Sequence, residues 1–110
     1  MTVESSVLIQ SQAVETTQTT KYIATNCRAI VDFWTVTNTS AGALTYSANV
    51  VPAGGAPTAD NLIVQAKSIA PGETWVATPL IGRRLAPGDF LSTVASAAGL
   101  NQRAEGRRIT

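Results

Sequence analysis

The side chains able to do acid–base chemistry are few and scattered. Seven carboxylates (Glu4, Glu15, Asp32, Asp60, Glu73, Asp89 and Glu105) are spread along the chain, and there is no histidine to activate a nucleophile. Without histidine, and with Cys27 as the single cysteine, neither a zinc site nor an intrachain disulfide is expected. The Gly54-Gly55 pair lacks the Lys-Ser/Thr that a phosphate loop requires. Asn38-Thr39-Ser40 matches a glycosylation acceptor pattern but reads as turn chemistry. No catalytic residue, metal, cofactor or small-molecule substrate is therefore expected, and the chain reads as non-enzymatic.

Three features point instead to contacts. Residues 80–110 hold Arg83, Arg84, Arg103, Arg107 and Arg108 against Asp89 and Glu105, whereas the rest of the chain is net acidic. The doublets Arg83-Arg84 and Arg107-Arg108 suit an acidic patch on a partner protein or a nucleic-acid backbone, and a plain solvated strand face also stays open. Val7-Leu8-Ile9, bordered by Glu, Ser and Gln, is either an arm that adds a strand to a neighbouring subunit or the first strand of the chain's own sheet. Phe33, taken as exposed, completes the candidate assembly interface of Val7, Leu8, Ile9, Phe33, Arg83, Arg84, Arg107 and Arg108. Asp32 shares its strand parity with Ile30, Trp34 and Val36, the face expected to turn inward. A carboxylate there needs a cation, such as Arg28 or a C-terminal arginine. Cys27 reads as a small buried hydrophobe.

These residues must be held by β-structure. Residues 29–37 and 43–51 are rich in β-branched and aromatic side chains, and Leu44, Tyr46, Ala48 and Val50 alternate with Thr45, Ser47 and Asn49. A five-residue loop at 38–42 predicts that the two runs pair as a hairpin. A strand is expected over 18–24, an irregular loop over 52–60, and a strand over 61–69 with Leu62, Val64 and Ala66 on one face. One helical turn capped by Thr58 is the alternative at the start of that segment. Ala70-Pro71-Gly72-Glu73 recurs as Ala86-Pro87-Gly88-Asp89, two type II turn signals that predict strands entering at the same end of the domain. Residues 102–110 are expected to close a sheet.

The fold class that follows is all-β, a single small β-sandwich of jelly-roll or immunoglobulin-like type with about seven to nine short strands. Residues 1–14 form the arm or first strand and 15–110 the sandwich. The 110 residues suffice for one domain, only 14% are charged, and the net charge of +1 excludes steering by the whole molecule. No apolar run is long enough to span a bilayer, and no basic-then-apolar leader is visible, so no membrane contact and synthesis in a cytoplasm are expected.

Thr16-Thr17-Gln18-Thr19-Thr20, Phe33-Trp34-Thr35-Val36-Thr37-Asn38-Thr39-Ser40, Ile69-Ala70-Pro71-Gly72-Glu73-Thr74, Leu85-Ala86-Pro87-Gly88-Asp89-Phe90 and Gly106-Arg107-Arg108-Ile109-Thr110, taken in order, resemble small virion proteins of tailed bacteriophages. The resemblance covers most of the chain. It implies a structural part of the particle, either a capsid decoration (cement) protein or a neck or tail accessory. Such a protein is made in the bacterial host cytoplasm, forms a homo-oligomer and binds other virion proteins. It transfers no catalytic residues. Two alternatives belong to other classes. A host-surface or carbohydrate-binding sandwich would use Trp75 as its platform. A small nucleic-acid-binding barrel would use Phe33 and the arginines, with Trp34 and Tyr46 already committed to the core.

Overall fold

The computed structural model describes residues 1–110. Nine strands are formed: β1 (Val3–Ala13), β2 (Thr19–Ile23), β3 (Arg28–Asn38), β4 (Leu44–Val51), β5 (Leu62–Ile69), β6 (Thr74–Val76), β7 (Arg84–Leu85), β8 (Phe90–Ala95) and β9 (Leu100–Ile109). The first sheet has the order β1-β9-β3-β6, with the short β7 also on β3, and the second has the order β2-β8-β4-β5. Every pairing is antiparallel. The chain is thus a small β-sandwich, as its alternating patterns predict.

Burial of apolar side chains between the sheets drives the packing. Ile9, Trp34, Val36, Leu100 and Ala104 of the first sheet meet Tyr46, Ala48, Ile69 and Leu91 of the second. Cys27 joins this core as a free thiol. One polar chain crosses the interior: the Tyr46 hydroxyl donates to Gln102 Oε1 at 2.7 Å, and Gln102 Nε2 donates to Thr93 Oγ1 at 3.0 Å. Burial pushes the Tyr46 phenol above its ordinary pKa, so it stays a neutral donor. The buried Trp34 indole N–H has no acceptor.

The predicted hairpin does not form. β3 and β4 lie in opposite sheets, and the chain between them is an arch that crosses the sandwich. Each run carries its own inward set, Trp34 and Val36 in one and Tyr46 and Ala48 in the other, so placing them in different sheets lets the two sets face each other. Asn38 fixes the arch. Its Nδ2 donates to the carbonyls of Gly42 (2.9 Å) and Ile69 (2.8 Å), while its Oδ1 accepts from Ser40 N (2.8 Å) and Ser40 Oγ (2.7 Å).

Both Pro-Gly segments form the expected turns, with Gly72 at φ 77° and Gly88 at φ 91°. Glu73 N donates to Ala70 O and Asp89 N to Ala86 O, both at 3.0 Å. Each acid then reaches back over its turn, Glu73 Oε1 accepting from Ala70 N and Asp89 Oδ2 from Ala86 N. The turns lie at opposite ends of the domain, not at one. Gly72 N donates to Asn38 O, where β3 finishes, and Gly88 N to Ala24 O, ahead of where β3 begins. Each carries the chain across the sandwich, β5 to β6 in one case and β7 to β8 in the other.

Three further expectations change. β9 is an interior strand of the first sheet, flanked by β1 and β3, and does not close an edge. The turn capped by Thr58 and the strand are both present, a 3-10 turn at Ala59–Asn61 leading into β5. Ala66 is exposed at φ 47° in a β-bulge, which takes it off the face of Leu62 and Val64.

Candidate assembly surface

Two β-bulges decide what the first sheet shows to solvent. In β3, Val31 pairs with Gly106 and Phe33 with Glu105, so Asp32 is the extra residue. Ala29 and Val31 point inward before the bulge, and Trp34, Val36 and Asn38 after it. The expected parity is therefore wrong for Ile30 and Asp32. Ile30 turns to the outer face, and Asp32 and Phe33 are both exposed.

Asp32 is exposed, so solvation removes the need for a partner, yet it is paired. Arg107 Nε donates to Asp32 Oδ2 at 3.0 Å and Arg107 Nη2 to Oδ1 at 2.9 Å, a two-pronged contact. That contact holds the Arg107 guanidinium above its ordinary pKa.

In β1, Val7 pairs with Glu105 and Ile9 with Ala104, leaving Leu8 as the extra residue. Leu8 and Ile9 both turn into the core of their own chain, 5% and 1% exposed, and so cannot serve as an interface surface. Only Val7 of the cluster faces outward, half-buried beside Phe33. The segment is the first strand of the sandwich, paired with β9.

Three of the five large apolar side chains that the chain leaves exposed, Met1 and Ile23 being the other two, lie on the outer face of the first sheet. Val3 (50% exposed), Phe33 (47%) and Val76 (38%) lie on it, with the half-buried Val7, Ile30 and Ile109 among them. A groove of about 250 Å³ runs between Ile30 and Ile109, with Arg28 and Arg84 on its rim. Another, about 400 Å³, lies between Val7 and Phe33, bordered by Ser5, Asp32 and Glu105. Arg103 pairs with Glu105 at 3.2 Å, as Arg107 does with Asp32. Arg28 and Arg84 make no ion pair.

The arginine doublets are split by strand alternation. Arg84 and Arg107 flank Ile30 from the two neighbouring strands. Arg108 turns the other way, beside the Cys27 thiol and Tyr22 phenol, which together with Glu4 hold its guanidinium above its ordinary pKa. Arg83 Nε donates to the Pro79 carbonyl at 2.9 Å. Trp75 offers no open platform. Its ring packs edge-on against Tyr46, centroids 6.4 Å apart, with the Lys67 ammonium 5.6 Å from its centroid.

Val3, Arg28, Ile30, Val76, Arg103 and Ile109 belong to this face and were not among the sequence candidates. Arg103, Glu105, Arg107 and Ile109 alternate along β9, a period-2 signal readable without the structure. Ile30 was hidden by the bulge that follows it. No protein-family model, curated protein or solved structure matches the chain.

Proposed function

We propose that the chain is a non-enzymatic structural protein of a tailed-bacteriophage particle, assembling as an oligomer on the capsid or at the neck or tail. The observation that carries the reading is the outer face of the first sheet. It sets Val3, Val7, Ile30, Phe33, Val76 and Ile109 among arginines, two of which lack a partner. An exposed apolar surface with a polar, arginine-bearing rim is the composition of a protein-docking face. Arg28 and Arg84 beside the Ile30 groove suit carboxylates of another virion protein. The resemblance to small phage virion proteins supplies the setting, and the virion is the place where the chain acts.

The test is mass spectrometry of density-purified particles together with light scattering of the isolated protein. The chain is expected in particles at a fixed stoichiometry and as an oligomer in solution. A strict monomer absent from purified particles would overturn the proposal.

A further inference from the structure

The first sheet ends in β1, an edge unlike the others. The opposite edge consists of the three-residue β6 and the two-residue β7, separated by residues 77–83. β5 is distorted by the left-handed Ala66 and carries Lys67, and β2 is short, broken in register between Thr20 and Tyr22, and carries Lys21. These are the devices that keep sheet edges from pairing. Over its first five residues β1 carries a single charge, Glu4, and no bulge, break or cation. Val3 to Val7 run in unbroken register, without proline, glycine, lysine or arginine.

The free hydrogen-bonding groups of that edge follow from its ladder. Thr2 and Thr110 exchange both backbone bonds at 2.9 Å, so Glu4–Arg108 and Ser6–Gly106 are the bonded pairs that follow. The N–H and C=O groups of Val3, Ser5 and Val7 therefore point away from β9, out of the sheet. Their spacing is symmetric about Ser5.

We infer that β1 pairs antiparallel with β1 of a second copy of this chain across a two-fold axis at Ser5. Ser5 then exchanges both backbone bonds with Ser5 of the other copy, and Val3 exchanges both with Val7, so every free group from 3 to 7 finds a partner. Glu4 faces Ser6, so no like charges meet. Val3 and Val7, both on the outer face, come side by side, and the two outer faces join into one continuous surface. This is an isologous contact, which closes on itself. It deepens the assembly reading and rests on it.

The test is disulfide trapping. Bonded pairs in an antiparallel ladder have Cα atoms about 5.5 Å apart, inside the disulfide range of roughly 4.4–6.8 Å. Ser5→Cys is therefore expected to cross-link to itself under mild oxidation. Val3→Cys and Val7→Cys, each alone, would sit about 13 Å from their own copies, four residues of strand, and should not. Mixed together, those two variants should cross-link. Cys27 is 3% exposed, and the unsubstituted protein is the control for it.

Light scattering provides a second arm that introduces no thiol. Val3→Lys/Val7→Lys should be monomeric, while Val3→Lys/Val7→Glu, which sets unlike charges opposite, should still dimerise. An unsubstituted protein that is monomeric overturns the pairing, and only if it is also absent from purified particles does the assembly reading fall with it. An oligomeric protein whose Ser5→Cys variant does not cross-link, or whose two charge variants behave alike, overturns the pairing alone.

Discussion

Replacing Asn38 with alanine tests the arch that directs β3 and β4 to different sheets. The side chain makes four hydrogen bonds, and the donation to Ile69 O at 2.8 Å is buried. A net bond contributes about 1 kcal/mol, and a buried carbonyl left without its donor costs about 1–3 kcal/mol. The two bonds to Ser40 lie nearer solvent, where water replaces part of them, so the expected loss is about 2–4 kcal/mol. For a domain of this size, 1 kcal/mol moves the melting temperature by about 4 °C, which places the variant about 8–16 °C below the unsubstituted protein. Asn38→Asp sharpens the test, because it keeps both acceptor bonds but points a carboxylate at two carbonyls. Its folded-state pKa must rise above the unfolded value, so the penalty grows as pH rises and is relieved as pH falls. Thermal melts at neutral and acidic pH read both effects. An Asn38→Ala protein melting within about 2 °C of the unsubstituted one, that is within about 0.5 kcal/mol, would refute the reasoning.

Gly106→Ala should lower stability by about 2 kcal/mol in chemical denaturation, because a Cβ there overlaps the Ile30 carbonyl oxygen and comes within 3.0 Å of Leu8 Cδ1. Gly42→Ala, which meets nothing within 4 Å, is the matched control and should be neutral. Tyr46→Phe leaves Gln102 Oε1 without its donor in the core and should cost about 1–2 kcal/mol by the same measurement. The Lys21 ammonium, 2.8 Å from Glu15, lowers the Glu15 pKa below its ordinary value. A depressed folded-state pKa gives stability that is present above the unfolded pKa and lost as pH falls through the folded one. The Glu15 side chain is 40% exposed, so solvent screening limits the effect to about 0.5 kcal/mol, read as a flatter acid limb of melting temperature against pH for Glu15→Gln.

Local chemistry was legible in the sequence where it depends on neighbours along the chain. The Pro-Gly turns, the Thr58 cap and the alternation of Tyr46 and Ala48 all follow from short-range sterics and side-chain parity. The expected hairpin fails because a run of β-formers and a five-residue loop look the same whether the strands pair or cross the sandwich. What distinguishes them is the reach of Asn38 to Ile69, a contact between residues distant in sequence. The bulges at Asp32 and Leu8 explain the misplaced site residues. One inserted residue flips parity, so Ile30 moved out to the surface while Leu8 and Ile9 both turned into the core. The Pro-Gly repeat identified two equivalent turns but carries no information on which end of the sandwich each occupies.

The proposed function has the outer face of the first sheet dock the chain on a phage particle. Co-sedimentation with particles assembled without this protein tests it most directly, comparing the unsubstituted chain with Phe33→Ser and Arg84→Glu. Both substitutions change exposed side chains on that face and should leave the melting temperature unchanged. Saturable co-sedimentation of the unsubstituted chain, and its loss in both variants, is expected. Variants that sediment like the unsubstituted protein, or an unsubstituted protein that stays in the supernatant, would contradict it.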